Sequence, residues 1–172
     1  GNTEQAIVDF EELANTNPAN DYSKKAILYL IEIYSNKKDE QKVSFYLEKI
    51  KGTKEYNTAM TMIGDLYVTK ENYEKALDYY NQSNDKNNPK LIYGEAYSLY
   101  KKGKYEEALK KFQSLKNSDY YNQSIYHIFA INYKLKNFDE IIRDREIIRK
   151  VVVSQVDTDN IIRIIANSAY QV

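Results

Sequence analysis

The chain has no cysteine and no tryptophan, and only one histidine, two prolines and five glycines in 172 residues. The lack of cysteine excludes disulfides, thiolate metal sites and cysteine nucleophiles, and it leaves the redox compartment undetermined. His127 has no second histidine or cysteine with which to form a metal site or a nucleophilic dyad. The glycines are dispersed, and none belongs to a phosphate-binding loop. We therefore predict that the chain is not an enzyme and needs no cofactor or metal.

A net charge and long apolar runs are also absent. Twenty-five basic residues balance twenty-five acidic ones, so there is no strong field to attract a polyanion, and we predict no nucleic-acid partner. No apolar run approaches the roughly 20 residues that span a bilayer, so direct membrane insertion is not expected. The sequence leaves the compartment open between cytoplasm and periplasm, because a signal or lipid anchor could precede Gly1.

Tyrosine, lysine and asparagine are abundant. Eighteen tyrosines and few helix breakers indicate a chain of long helices. Lysine outnumbers arginine 21 to 4, a bias that is typical of AT-rich codons and indicates a low-GC bacterial source.

One short phrase occurs twice, as "TKENYEKALDYY" at 69–80 and "KKGKYEEALKKF" at 101–112. Both copies contain a tyrosine, an alanine three residues later and an aromatic residue four further on: Tyr73, Ala76 and Tyr80, then Tyr105, Ala108 and Phe112. Similar frames begin at Ala6, where Pro18 closes the unit, at Val43 and, with Ile141 in the alanine's place, near Phe138. A repeat of 20 to 50 residues is the signature of a solenoid.

An apolar helical stretch precedes each full copy of the phrase. These stretches cover 26–34, 59–67, 91–100 and 124–133, with apolar or small residues spaced three and four apart. Turns of about four polar residues join each stretch to the following phrase, which allows only antiparallel neighbours. Each unit is therefore predicted to be a helical hairpin.

The pattern resembles the tetratricopeptide repeat family. The matching positions are Met60, Ile63, Gly64, Tyr67, Tyr73, Ala76 and Tyr80 in one unit, and Ile92, Ala96, Leu99, Gly103, Tyr105, Ala108 and Phe112 in the next. The family's leading tryptophan is absent, and Glu95 stands where a leucine is usual. The resemblance implies an all-α, right-handed α-solenoid of antiparallel helix hairpins, in which small residues let the paired helices approach closely.

The repeats divide the chain into a single domain over 1–172. We predict a partial repeat over 1–21, repeats near 24–56, 57–88, 89–121 and 122–154, and a closing helix over about 157–171. Asp157 or Asp159 is expected to cap the closing helix, and Ile161, Ile162, Ile165 and Ala169 to form its apolar face.

The resemblance also implies a binding groove on the concave side, formed by the first helix of each hairpin. The residues predicted to face it are Lys90, Tyr93, Tyr97, Tyr100, Lys101, Tyr126, His127 and Tyr133. Tyrosine is common in binding surfaces because it offers large contact area at small entropic cost. The alternative is that these tyrosines only pack against the next helix. The family's carboxylate clamp is not expected, since the comparable places hold Leu28, Glu32, Thr61 and Asp65.

Three functions are compatible with the sequence. The first is a scaffold that binds a protein or peptide segment in the tyrosine-rich groove. The second is a bacterial cell-envelope assembly factor of the periplasmic lipoprotein or Tol-Pal-associated type, and the third is a regulatory repeat region of a larger enzyme. Self-association as a homo-oligomer is a further possibility, because the first helix has no partner before it.

Overall fold

The computed structural model describes residues 2–16, 20–151 and 153–172, and side chains from residue 4 onward within these ranges. The described residues form ten α-helices and one 3₁₀ helix, with no strand among them. They belong to two compact units, 1–85 and 86–172. The prediction of an all-α fold built from helix hairpins is confirmed. Pro18, predicted to close the first unit, lies outside the described residues.

The first unit contains five helices. They are α1 (Asn2–Thr16), α2 (Asp21–Lys37), α3 (Glu40–Lys49), α4 (Lys54–Thr69) and α5 (Tyr73–Gln82). Helix α2 packs on α1, α3 and α4, and α4 packs on α5. The core between them is formed mainly by aliphatic side chains, among them Ile27, Leu30, Ile31, Met60 and Ile63.

The second unit contains the other five α-helices and the 3₁₀ helix. They are α6 (Pro89–Lys101), α7 (Tyr105–Ser114), α8 (Tyr121–Lys134), α9 (Phe138–Asp144), the 3₁₀ helix Arg145–Arg149 and α10 (Gln155–Ala169). Helix α8 packs on α7, α9 and α10, and α6 packs on α7. Helix α9 has only seven residues before the backbone tightens into the 3₁₀ turn.

The turn inside each hairpin has the same backbone geometry. Lys38, Glu71, Gly103 and Lys136 all have φ between 55° and 76°, in the left-handed region. The amide of the next residue donates to the carbonyl five positions back at 2.9–3.0 Å, as in the Schellman motif. These four turns recur every 32 or 33 residues, so the period found in the sequence is also a period of the backbone.

Small residues are buried where paired helices approach. Ala76, Ala96 and Ala108 have no exposed surface. A Cβ atom on Gly64 would lie 2.6 Å from Cδ1 and 2.8 Å from Cζ of Tyr80, so only glycine leaves room for that ring. The Tyr80 hydroxyl donates to Asp65 Oδ1 at 2.7 Å, which fixes α5 against α4.

A polar network holds α1 against the first hairpin. Glu11 Oε1 accepts hydrogen bonds from Tyr34 at 2.7 Å, from Lys42 at 2.9 Å and from Tyr46 at 3.3 Å. The hydrogen bond from Lys42 does most to lower the pKa of Glu11, while burial raises the pKa of Tyr46 to about 12. Glu11 therefore acts as a structural carboxylate in this unit.

Three details of the second unit correct the sequence predictions. Helix α10 is capped by Ser154, whose Oγ accepts from the Asp157 amide at 3.1 Å, and not by Asp157 or Asp159. Ile162 is 54% exposed and Ala169 is exposed too, because the packed stripe of α10 runs through Ile161 and Ser168. In α6, Leu91 is fully buried, whereas Ile92, which matches a family position in the sequence, is only partly buried.

Candidate partner-binding surface

His127 of α8 lies at the centre of an aromatic cluster. Its ring stacks on Phe112 of α7, with centroids 5.0 Å apart and planes at 13°. The ring centroids of Tyr97, Tyr100 and Tyr126 lie 5.3–5.5 Å from it, and that of Tyr93 lies at 6.3 Å. We call Tyr93, Tyr97, Tyr100, Tyr126 and His127 the tyrosine surface. All five are partly exposed, whereas Phe112 is fully buried beneath them.

The spacing within α6 explains the cluster. Tyr93, Tyr97 and Tyr100 are separated by four and three residues, so they share one face of the helix. Pro89 at the first helical position and Asn88, which accepts from the Lys90 amide at 3.0 Å, fix where α6 begins and hence which face the tyrosines occupy. The buried stripe of the same helix, with Leu91, Ala96 and Leu99, packs in the core.

The other three residues predicted for the groove are placed differently. Lys101 is exposed, and its ammonium lies 5.8 Å from the centre of the Tyr97 ring, a cation–π contact. Lys90 is exposed in the first turn of α6. Tyr133 packs edge-to-face on Phe138 of α9 at 5.7 Å, two turns along α8 from the cluster. The structure thus brings five of the predicted residues together and places Lys101 at their edge.

A cavity of ≈ 450 Å³ opens beside the tyrosine surface. We call it the Asp157 cavity. Its walls come from three helices and the segment before α10: Tyr93, Asn122, Gln123, Tyr126, His127, Val153, Ser154 and Asp157. The Asp157 carboxylate is held by Ser154, whose Oγ donates to Oδ2 at 2.7 Å.

Burial dominates the electrostatics of this region. It lowers the pKa of His127 to about 4, with Lys101 adding to the effect and Asp157 opposing it, so the imidazole is uncharged at neutral pH. Burial also raises the pKa of Tyr93 and of Tyr100, which keep their hydroxyl protons. The His127 Nδ1 atom is buried without a hydrogen-bond partner in the described part of the chain. The surface is therefore neutral and aromatic, with the carboxylate of Asp157 at one side.

Four residues of this region have no signal in the sequence that marks them as part of a site: Asn122, Val153, Ser154 and Asp157. Asp157 is 30 residues from His127 and lies in a helix outside the hairpin pattern, so the repeat frame does not predict their proximity. The sequence alone indicates only a helix cap at Asp157. Its position beside the cluster depends on the packing of α10 against α8, which no local pattern predicts.

The first unit has a cavity of its own, of ≈ 280 Å³, between its two hairpins. Three lysines line it together with Asp39 and Glu40, and the ion pair from Lys75 to Glu40 at 3.5 Å spans part of it. Within the described ranges no group of three His, Cys, Asp or Glu side chains can hold a metal ion. Among the same residues, no helix is long and apolar enough to cross a membrane.

Comparison with protein families places α6 and α7 in a known class. Residues 91–119 match the family model described as "Tetratricopeptide repeat". These residues are similar to a tetratricopeptide repeat. The match covers the hairpin that carries Tyr93, Tyr97, Tyr100 and Phe112, and the resemblance found in the sequence is confirmed. No curated protein and no solved structure matches the chain. Tetratricopeptide repeats generally mediate protein–protein interaction.

Proposed function

We propose that this protein is a non-enzymatic scaffold that binds a protein or peptide segment on the tyrosine surface. The observation that carries the proposal is the cluster itself: four partly exposed tyrosine rings from α6 and α8 meet around His127, next to an open cavity. The family match to this hairpin adds support, since its repeats generally bind proteins.

The physical argument for binding concerns preorganisation. The tyrosine rings already contact His127 at centroid distances of 5.3–6.3 Å, so a partner that packs on them orders few further side chains. Tyrosine has only two side-chain torsions to fix, and immobilising a long side chain instead costs about 0.5–1.5 kcal/mol. The tyrosine hydroxyls give hydrogen-bond partners at the rim.

The buried base of the cluster supports the same proposal. Phe112 is fully buried and stacked on His127, so it supplies the packing that holds α7 on α8. The tyrosines lie above that base and keep exposed edges. These exposed edges are contact area that a docked segment can cover.

A site-specific photocrosslinker tests the proposal directly. Tyr97 is replaced by p-benzoyl-phenylalanine in the intact protein, which is then irradiated in extract from its natural source. Tyr22, which is 70% exposed in the first unit, is the matched control position. We expect a discrete crosslinked protein from position 97 and none from position 22. Equal labelling from both positions, or no adduct at position 97, would contradict the proposal.

A further inference from the structure

The Asp157 cavity has one formal charge on its walls. Among its eight described lining residues Asp157 is the one acidic side chain, none is lysine or arginine, and His127 is uncharged at neutral pH. Tyr93, Tyr126 and His127 supply aromatic walls. The faces of such rings carry negative electrostatic potential, which attracts cations. Charge and ring chemistry in the cavity therefore favour the same kind of guest.

Several groups in the cavity can accept a hydrogen bond from a guest. Ser154 Oγ occupies Asp157 Oδ2 and so holds the carboxylate at the wall, where Oδ1 can accept from a guest. The His127 Nδ1 atom is buried and unpaired in the described part of the chain, and an unpaired buried polar atom gains from a hydrogen-bond partner that reaches it. The side-chain oxygens of Asn122 and Gln123 add two acceptors.

The start of α10 at the same cavity has to be weighed against these acceptors. A helix N-terminus is equivalent to roughly half a positive charge, which favours anions. Here the Asp157 carboxylate carries a full negative charge in the first turn, and the Asp157 amide already donates to Ser154 Oγ at 3.1 Å. The full charge is larger than the partial one, so the helix start does not make the cavity a site for anions.

The rest of the second unit shows how its rings interact with cations. Lys101 lies over the Tyr97 ring at 5.8 Å and Lys134 over the Tyr105 ring at 5.4 Å. Neither lysine is among the residues that line the Asp157 cavity. The cavity thus has the same aromatic chemistry with no lysine or arginine among its described lining residues.

We infer that the Asp157 cavity binds a cationic side chain, an arginine or a lysine, of the segment that docks on the tyrosine surface. The inference rests on the proposed function and specifies the chemistry of the partner. The cavity volume of ≈ 450 Å³ lies in the range of small-ligand sites and can accommodate a guanidinium group with its methylene stem.

The test titrates the intact protein with N-acetyl-arginine amide and follows backbone amides by NMR. N-acetyl-citrulline amide has nearly the same shape without the charge, and N-acetyl-glutamate amide reverses the charge. We expect saturable shifts at Tyr93, Tyr126, His127 and Asp157 with the arginine probe, weakened by added salt. Equal shifts with the citrulline probe, a preference for the glutamate probe, or no shifts at these residues would overturn the inference.

Two variants locate the charge that matters. Asp157→Asn keeps an oxygen for the Ser154 hydroxyl and removes the charge, and we expect it to bind the arginine probe about tenfold more weakly. Asp159→Asn is the matched control, since Asp159 is exposed on the same helix and does not line the cavity. Unchanged binding in Asp157→Asn, or an equal loss in Asp159→Asn, would overturn the inference.

The outcomes for the cavity and for the proposed function are separable. The arginine titration needs no partner protein, whereas the crosslink from position 97 needs one. If a partner crosslinks at position 97 but the arginine probe does not bind in the cavity, the scaffold function stands and the inference of a bound cationic side chain is wrong. Arginine binding without a crosslink would reject the scaffold function, and with it the assignment of the cavity to a docked segment.

Discussion

His127 lies against Phe112 and is surrounded by tyrosines of α6 and α8. Because burial lowers its pKa from 6.5 to about 4, the unfolded chain binds a proton between these values that the folded chain does not. Its contribution to stability is therefore complete above pH 6.5 and falls as the pH drops towards 4. The effect of this single group amounts to about 2–3 kcal/mol.

The prediction is tested by comparing the wild type with His127→Phe, which keeps an aromatic ring next to Phe112. Urea unfolding at pH 7.0 and pH 4.5 gives the free energy of unfolding at each pH. We expect the wild type to lose about 2 kcal/mol more than the variant, because carboxylates titrate in both. The same loss in both proteins would show that His127 is not held uncharged.

Ala108 tests the close approach of α6 and α7. It has no exposed surface, so Ala108→Leu must separate the helices or distort side chains, at a cost of about 1–3 kcal/mol. We expect the thermal midpoint to fall by several degrees. Ala166→Leu, on the exposed side of α10, adds the same atoms and should leave it nearly unchanged. If both variants melt at the wild-type temperature, the packing described for Ala108 is wrong.

At the scale of single elements, the ion pair that joins α6 to α7 replaces an apolar contact. Glu95 is buried, with 4% of its surface exposed, and receives a hydrogen bond from Lys111 at 2.5 Å. Lys111→Met removes the partner of Glu95 and leaves a buried, unpaired carboxylate. It should lower the free energy of unfolding by about 3 kcal/mol. Glu95→Leu removes the buried charge and should be neutral or stabilising. Chemical denaturation gives the free energy of unfolding of each variant. If Glu95→Leu lowers it as much as Lys111→Met does, this account is wrong.

The left-handed residues of the hairpin turns allow a second prediction at this scale, about stability. Glu71 adopts φ 55°, which costs a non-glycine residue about 1–2 kcal/mol, while glycine loses about 0.5–1 kcal/mol more entropy on folding. Glu71→Gly should therefore stabilise the protein by about 0.5–1 kcal/mol, and Gly103→Ala, at φ 76°, should destabilise it. A thermal melt in which Glu71→Gly lowers the midpoint would contradict the backbone argument.

The sequence predicts these elements well where packing repeats and poorly where it stops repeating. Ala76, Ala108 and the turn at Gly103 recur in register, so the helices and hairpins are evident from their period. The break of α9 into a 3₁₀ turn is not evident from the sequence. Ile141 takes the alanine's place there, and the repeat pattern does not predict the structure of the residues after it. The predicted cap of α10, Asp157 or Asp159, is wrong by at least three residues. Serine and aspartate are equally good cap residues, so the sequence alone does not select Ser154.

At the scale of the whole molecule, five of the eight predicted groove residues form one surface in the second unit. The spacing of Tyr93, Tyr97 and Tyr100 on one helix allows that part of the site to be predicted. Tyr133 packs on Phe138 instead, because it is at the end of α8 that faces α9. Asp157 could not be predicted because its place depends on the packing of α10, a contact between elements without repeat symmetry.

The most direct test of the binding claim is the dissociation constant of the partner segment identified by crosslinking. It is measured by calorimetry for the wild type, for Tyr97→Ala with Tyr126→Ala, and for Tyr22→Ala, after circular dichroism has shown equal folding. We predict that the double variant binds at least tenfold more weakly, a loss of about 1.4 kcal/mol or more, while Tyr22→Ala binds like the wild type. Wild-type affinity in the folded double variant would contradict the account.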